Sequence, residues 1–310
     1  MLRYYLDAGA GGVAVGVHTT QFEIREPQHG LFEPVLAAAA ECLDQHAGAD
    51  FVRVAGICGQ TEQAVQEADL AAAHGYHCGL LSLAALKDAS NEARIEHCRA
   101  VAKVMPVFGF YLQPAVGGCV LDFDFWQRFC EIENVVAIKI AAFNRYQTWD
   151  VVRAVMESGR DDIALYTGND DNIINDLLTP FEHNGQRRFI SGGLLGQWAV
   201  WTRAAVEMLK QIQQVRASAS IPSPWLTHNM QLTDANAVLF DAANHFAGCI
   251  PGINEMLRRQ GLLPSAACLN PDEVLSPGQA DEIDRITSSY PHLVDDRFVS
   301  DNLDRWLDND

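Results

Sequence analysis

The stretch N-V-V-A-I-K-I-A-A-F, residues 134–143, decides how the chain is read. It is a run of small and branched apolar residues without polar alternation, which is the pattern of a parallel strand covered on both faces. One residue does not fit. Lys139 puts an ammonium inside that run, and a buried charge is costly unless it is paired or neutralised. An apolar pocket favours the neutral amine, and a neutral lysine can attack a carbonyl carbon to form a Schiff base. The structural alternative is an edge strand from which Lys139 snorkels to water.

Working outward, comparable short apolar runs lie at 12–18, 51–57, 77–83, 105–111, 162–167 and 188–193, which with 135–140 makes seven candidate strands. Helical patterns separate them. One opens at Thr61, a fair N-cap, and closes near Gly75; another runs from Thr148 to Gly159. Strand starts recur at roughly 25 to 40 residues, the pace of an α/β barrel or a doubly wound sheet. No G-x-G-x-x-G follows a strand and no G-x-x-x-x-G-K-[ST] occurs, so dinucleotide and P-loop readings lose ground. From residue 199 the pattern turns to helices without strands, which predicts a (β/α) catalytic domain over 1–198 and a helical extension over 199–310.

Composition narrows the function classes. With 310 residues, 48% of them hydrophobic and 20% charged, the chain can bury a large core. No apolar run approaches the roughly 20 residues of a bilayer span, and no export signal is evident, so a soluble globular protein of the cytoplasm is expected. The net charge of −18 argues against nucleic-acid and anionic-membrane partners. Residues 271–310 hold eleven Asp or Glu against three Arg, which reads as a solvated acidic face. Eight cysteines without a C-x-x-C read as reduced residues, and no cofactor or metal is expected. His74 and His77 flank a turn and are too sparse a set for zinc.

In parallel α/β folds the loops after the strands line the site, so reactive residues at strand C-termini are the ones to collect. They are Lys139, Tyr111 at the end of M-P-V-F-G-F-Y, and the turn His18-Thr19-Thr20. A tyrosine can carry protons in carbinolamine and enamine steps, although a lone one ending a strand often only packs. Threonines at a turn offer hydroxyl and N–H donors to a carboxylate, or cap the turn.

Together these segments resemble the dihydrodipicolinate synthase and N-acetylneuraminate lyase family of Schiff-base-forming (β/α)8 barrels. V-G-V-H-T-T-Q-F is similar to the family's G-T-T-G-E-F loop, F-Y-L-Q-P-A-V-G-G to Y-N-x-P-x-x-x-G, V-V-A-I-K-I to I-x-G-I-K-E, and Y-T-G-N-D-D to S-G-D-D. F-I-S-G-G falls where the family has V-I-S-V-T, and I-N-E-M-L-R-R-Q-G-L-L resembles its K-x-x-L-x-x-x-G-L. The resemblance implies that Lys139 is the Schiff-base lysine, Tyr111 the proton-transfer tyrosine and Thr19 a carboxylate-binding residue. It places His18 or Thr20 beside Thr19, and Ser191 and Gly192 beside a bound 2-oxo acid. It also implies a homo-oligomer, a dimer or tetramer.

Departures restrict the activity. The synthases' arginine for a second carboxylate is replaced by Val116, and L-L-S-L-A-A-L offers no tyrosine where they have P-Y-Y. The Schiff-base half of the site is kept while the half that selects the partner substrate has changed. The chain opens at M-L-R-Y-Y-L, which resembles the end of the family's first helix, so a barrel without its first strand, with a truncated or misassigned start, is expected. The expected function is a lyase, aldolase or dehydratase in type, acting on a pyruvate-like 2-oxo acid. The rivals are a metal-dependent aldolase or hydrolase using His18, Asp170 and Asp171, and a non-catalytic barrel that binds a small acid.

Overall fold

The computed structural model describes residues 1–307. Six strands follow one another in parallel: β1 (Gly12–Val15), β2 (Val52–Ile57), β3 (Cys78–Leu81), β4 (Val107–Leu112), β5 (Val135–Ala141) and β6 (Ala164–Thr167). A separate antiparallel hairpin, β7 (Phe181–His183) and β8 (Gln186–Arg188), comes next, and the two-residue β9 (Gly192–Gly193) completes a seven-stranded sheet against β6. Each strand expected from the sequence is present. The hairpin was not foreseen, because the polar run E-H-N-G-Q-R-R carries no apolar alternation; its turn sits on Asn184 and Gly185, both at positive φ.

The helices alternate with the strands: α1 (Leu2–Ala8), α2 (Phe32–His46), α3 (Thr61–Ala73), α4 (Asn91–Ala102), α5 (Phe123–Cys130), α6 (Arg145–Ser158) and α7 (Ile173–Leu178). Their starts follow side-chain capping. Asp122 accepts from Phe125 N at 2.9 Å, and Asn144 accepts from both Tyr146 N and Gln147 N. The Asn144 cap starts α6 one turn before Thr148, the start read from the sequence. Thr61 is likewise the first helical residue rather than the cap, and its hydroxyl meets His97 Nδ1 at 2.9 Å.

The sheet has two faces and two apolar clusters. Val54, Cys78, Leu80, Phe108, Phe110, Ala137 and Ala141 pack on the inner face, whereas Tyr111, Trp126, Phe129, Ile138 and Ile140 belong to the larger cluster between sheet and helices. The inner cluster also takes Ala14 and Val17 from the β1 side and Leu194 from the β9 side. Both ends of the sheet therefore face one interior, and the sheet curls. The loops after β1 and β9 meet: a Cβ added at Gly196 would stand 3.2 Å from His18 Nδ1. Among the described residues β1 and β9 do not pair, so the architecture is a (β/α)8 barrel with one strand missing, as expected. Helix α1 bridges this seam, since Tyr5 Oη donates to Ala199 O at 3.2 Å and Tyr4 Oη accepts from Thr202 N at 2.8 Å.

Beyond β9 lie α8 (Thr202–Arg216), α9 (Pro224–Leu239), α10 (Cys249–Arg259), α11 (Gln279–Ser289) and α12 (Asp296–Leu307). Helix α8 follows β9 as the other helices follow their strands and packs on α7 and α1, so it completes the outer ring. Helices α9 to α12 follow it, and residues 308–310 lie outside the described residues. Helix α9 is tied to the loop after β6 by Asn236 Nδ2 donating to Asp170 O at 2.7 Å and Thr233 Oγ1 donating to Asp171 O at 2.8 Å. Among the described residues no helix is long and apolar enough to cross a membrane.

Candidate active site

Lys139 points into the barrel. It stands in register with Phe110 on one side and Tyr166 on the other, is 7% exposed, and lays its Nζ 4.4 Å from the centre of the Phe110 ring. The ring face supplies partial negative charge, which relieves some of the desolvation cost. Burial still dominates and pushes the ammonium's pKa down, while Asp170 pulls it back up. Snorkelling from an edge strand is excluded, because β5 is paired on both sides.

Space for this side chain depends on Gly168. A Cβ there would come within 2.7 Å of Lys139 Cε and 2.8 Å of the Ala141 Cβ, closer than real contacts allow. The residues after Gly168 turn across the barrel mouth and are pinned from outside. Asp176, fully buried, accepts from Thr167 Oγ1 at 2.6 Å and Asn169 Nδ2 at 2.9 Å, and is ion-paired with Arg145. Asn169 Oδ1 in turn accepts from Phe143 N at 2.9 Å, joining the loops after β5 and β6.

That network carries Asp170 over the site. Burial raises its pKa, with the neighbouring Asp171 acting the same way; Lys139 and the Gln197 N–H oppose the shift. Its Oδ1 is sealed from solvent and has no hydrogen-bond partner among the described residues. Opposite, His18 Nε2 lies 3.2 Å from Cys249 Sγ, a contact between residues 231 positions apart. Burial, with the Lys139 charge adding to it, lowers the His18 pKa to about 4, so the imidazole is neutral, and its Nδ1 is buried without a partner among the described residues. Burial raises the Cys249 pKa too, and Asp170, Glu273 and Asp241 add to the shift, so this residue is a thiol rather than a thiolate. Unspent polar atoms in a closed space are what a ligand with its own donors and acceptors would satisfy.

Of the residues picked from the sequence, Lys139 and His18 meet in this site, and Tyr111 does not. Tyr111 pairs with Ile140, so it faces the helices; its ring centre lies 5.4 Å from that of Trp126, and its hydroxyl accepts from Leu121 N at 3.2 Å. The reason is register. A shift between Val107 and Phe108 sets Phe110 opposite Lys139, and strict alternation then turns the next residue outward. Thr20 is spent on the turn, with its Oγ1 accepting from Gly16 N at 3.2 Å, whereas the Thr19 hydroxyl has no partner among the described residues. Val116 lies half-buried in the single turn Pro114–Val116 after β4. Gly192 shares the register row of Lys139 two strands away, and Ser191 is exposed with its N–H spent on Leu165 O at 2.7 Å.

Asp170 was visible in T-G-N-D-D only as a possible metal ligand, and no sequence signal pointed to Cys249. The described residues hold no group of three or more His, Cys, Asp or Glu in metal-binding geometry. His74 faces Glu33 at 3.6 Å, and His77 Nδ1 accepts from Arg53 N at 3.2 Å.

Comparison with known proteins agrees with the fold. The chain is similar to dihydrodipicolinate synthase from Aquifex aeolicus, with 17% identity, 94% of this chain and 91% of that one covered, and a TM-score of 0.73. It is similar to the chloride-inhibited dihydrodipicolinate synthase from Acinetobacter baumannii complexed with pyruvate at 16% identity, with 94% and 90% covered and a TM-score of 0.72. YagE, a prophage protein of the dihydrodipicolinic acid synthase family from E. coli K12 in complex with pyruvate, matches at 15% identity, 94% and 90% coverage and a TM-score of 0.71. At such identities the likeness is one of fold. A search of curated protein sequences finds no match. The family model for the dihydrodipicolinate synthetase family matches residues 3–190, more than half of the sequence, and the chain therefore belongs to that family.

Proposed function

We propose that the protein is a Schiff-base-forming lyase acting on a pyruvate-like 2-oxo acid. The observation that carries this reading is the amine of Lys139, buried in the barrel interior with its charged form disfavoured. A neutral amine attacks the keto carbon, loss of water gives an iminium, and the iminium accepts the electron pair released when a C–C or C–O bond beside it breaks. Thr19, in the turn His18–Thr20 after β1 and with no partner for its hydroxyl among the described residues, is the candidate to orient the carboxylate. Two similar structures are described as pyruvate complexes, which supports the ligand class. Val116 in place of an arginine argues against a second carboxylate on the partner substrate. A homo-oligomer in the cytoplasm belongs to the same reading, although one similar synthase is described as monomeric.

The test is reduction with borohydride in the presence of pyruvate and a panel of 2-oxo acids, followed by peptide mass spectrometry. A stable adduct on the peptide containing Lys139 is expected. No adduct, or one confined to surface lysines such as Lys87 and Lys210, overturns the reading.

A further inference from the structure

We propose that Asp170 is the acid–base residue of this site, the group that gives a proton to the departing water as Lys139 condenses with a ketone. This rests on the Schiff-base reading of Lys139.

Condensation needs a proton donor. The carbinolamine formed by attack of the amine loses its hydroxyl as water only if that oxygen is protonated as the C–O bond breaks. The Tyr111 phenol is on the wrong face of β4 and already accepts the Leu121 N–H, so it cannot reach the reacting atoms. The titratable groups around Lys139 come from four elements. Tyr166 pairs with it from β6, but its ring packs on Phe108 at 5.2 Å and it feels Cys78 rather than Lys139. Asp170, with Asp171 beside it, comes from the loop after β6, His18 from the loop after β1, and Cys249 reaches the site through His18 from the start of α10. His18 and Cys249 are in contact with each other. Asp171 is bound through its carbonyl to Thr233 and sits nearer the Arg145 charge. His18 also feels the Lys139 charge and keeps an unpartnered Nδ1, but a ring held neutral is too weak an acid to give up a proton. Asp170 feels the Lys139 charge from the carboxylate side and retains an oxygen without a partner among the described residues.

The loop that carries Asp170 runs beside the lysine side chain, since a Cβ added at Gly168, two residues before it, would stand 2.7 Å from Lys139 Cε. Among the described residues no ion pair or hydrogen bond joins Lys139 to Asp170, although each feels the other's charge, and the buried Asp170 Oδ1 is left without a partner. Burial moves the two groups towards each other, the amine down and the carboxyl up, so the neutral amine and neutral acid lie one proton transfer from the charged pair and close to it in energy.

The step balances. The amine lone pair forms the C–N bond and the carbonyl oxygen becomes a hydroxyl after a proton passes from the ammonium. Asp170–COOH then donates its proton to that hydroxyl, the C–O bond breaks, water leaves, and the nitrogen lone pair forms the C=N⁺ bond. The Asp170 carboxylate that remains is the counter-ion of the iminium and the base positioned to take the next proton, from carbon for an enamine or from the hydroxyl of an aldol.

The test measures the rate of the Lys139 adduct with pyruvate and cyanoborohydride across pH 5 to 9, by intact mass. In the unmodified protein the rate should rise with pH as the amine loses its proton, then fall as Asp170 does. Asp170→Asn should slow trapping by about a hundredfold or more and abolish the fall at high pH, with the melting temperature retained, and Asp170→Glu should recover part of the rate. Tyr111→Phe should trap at the unmodified rate. Trapping by Asp170→Asn within about threefold of the unmodified protein overturns the proposal, as does a rate in the unmodified protein that climbs with pH throughout; these readings need no altered chain to fold in the second case. Absence of any adduct in the unmodified protein overturns the Lys139 reading itself, and this proposal with it.

Discussion

Phe110 and Lys139 stand opposite one another in neighbouring strands, and the side-chain nitrogen of Lys139 lies 4.4 Å from the centre of the Phe110 ring. This pairing holds a nitrogen in a dry interior and also sends the next residue, Tyr111, to the other side of the sheet.

If Lys139 is kept for chemistry rather than for stability, an apolar residue of similar length should be tolerated. Lys139→Met should fold and be neutral or more stable by up to about 2 kcal/mol in urea denaturation, while losing all adduct formation. A loss of several kcal/mol would show that the amine is needed by the fold.

Gly168 has no room for a methyl group because of Lys139 Cε at 2.7 Å. Gly168→Ala should displace the amine and lower the trapping rate by about tenfold to a hundredfold, with a stability cost of about 1–3 kcal/mol from overpacking. Measuring rate and stability on the same preparation checks it, and an unchanged rate would mean that the amine moves freely in the interior.

Tyr111 acts through packing. It is fully buried against Trp126, so Tyr111→Ala should cost about 3–5 kcal/mol in equilibrium unfolding, the range for loss of a large buried ring. Tyr111→Phe should cost about 1 kcal/mol, the worth of one hydrogen bond. A kcat loss in Tyr111→Phe without a stability change would restore this phenol to the chemistry.

His18 should make stability depend on acid. Its folded pKa of about 4 lies below its unfolded value of 6.5, so the unfolded chain binds the extra proton between those values. Stability contributed by the neutral ring is present above pH 6.5 and is lost as the pH falls through 4. In thermal melts from pH 7 to 4, His18→Gln should lose less stability than the unmodified protein, and parallel curves would show that this ring is not the group titrating.

Much of the fold was legible in the sequence because apolar runs and helical periods are local. Seven strands, a lysine within one of them and the family motifs could all be read without a partner in space. The hairpin of β7 and β8 could not, since a polar hairpin held by its turn and by packing leaves no apolar pattern in E-H-N-G-Q-R-R.

The sequence by itself determined that a parallel βα barrel would form and that Lys139 would be buried in it. Which side chains reach that lysine was decided only by the tertiary structure. A strand's residues alternate between two faces, but the register of pairing decides which faces match, and the extra residue Val136 beside Phe108 put Lys139 on the Phe110 face and left Tyr111 on the other. Curling of the sheet then closed the interior, bringing Asp170 over Lys139 and His18 against Cys249 from the far end of the chain. Contacts of that range depend on how the whole ring closes, and no local stretch of residues encodes them.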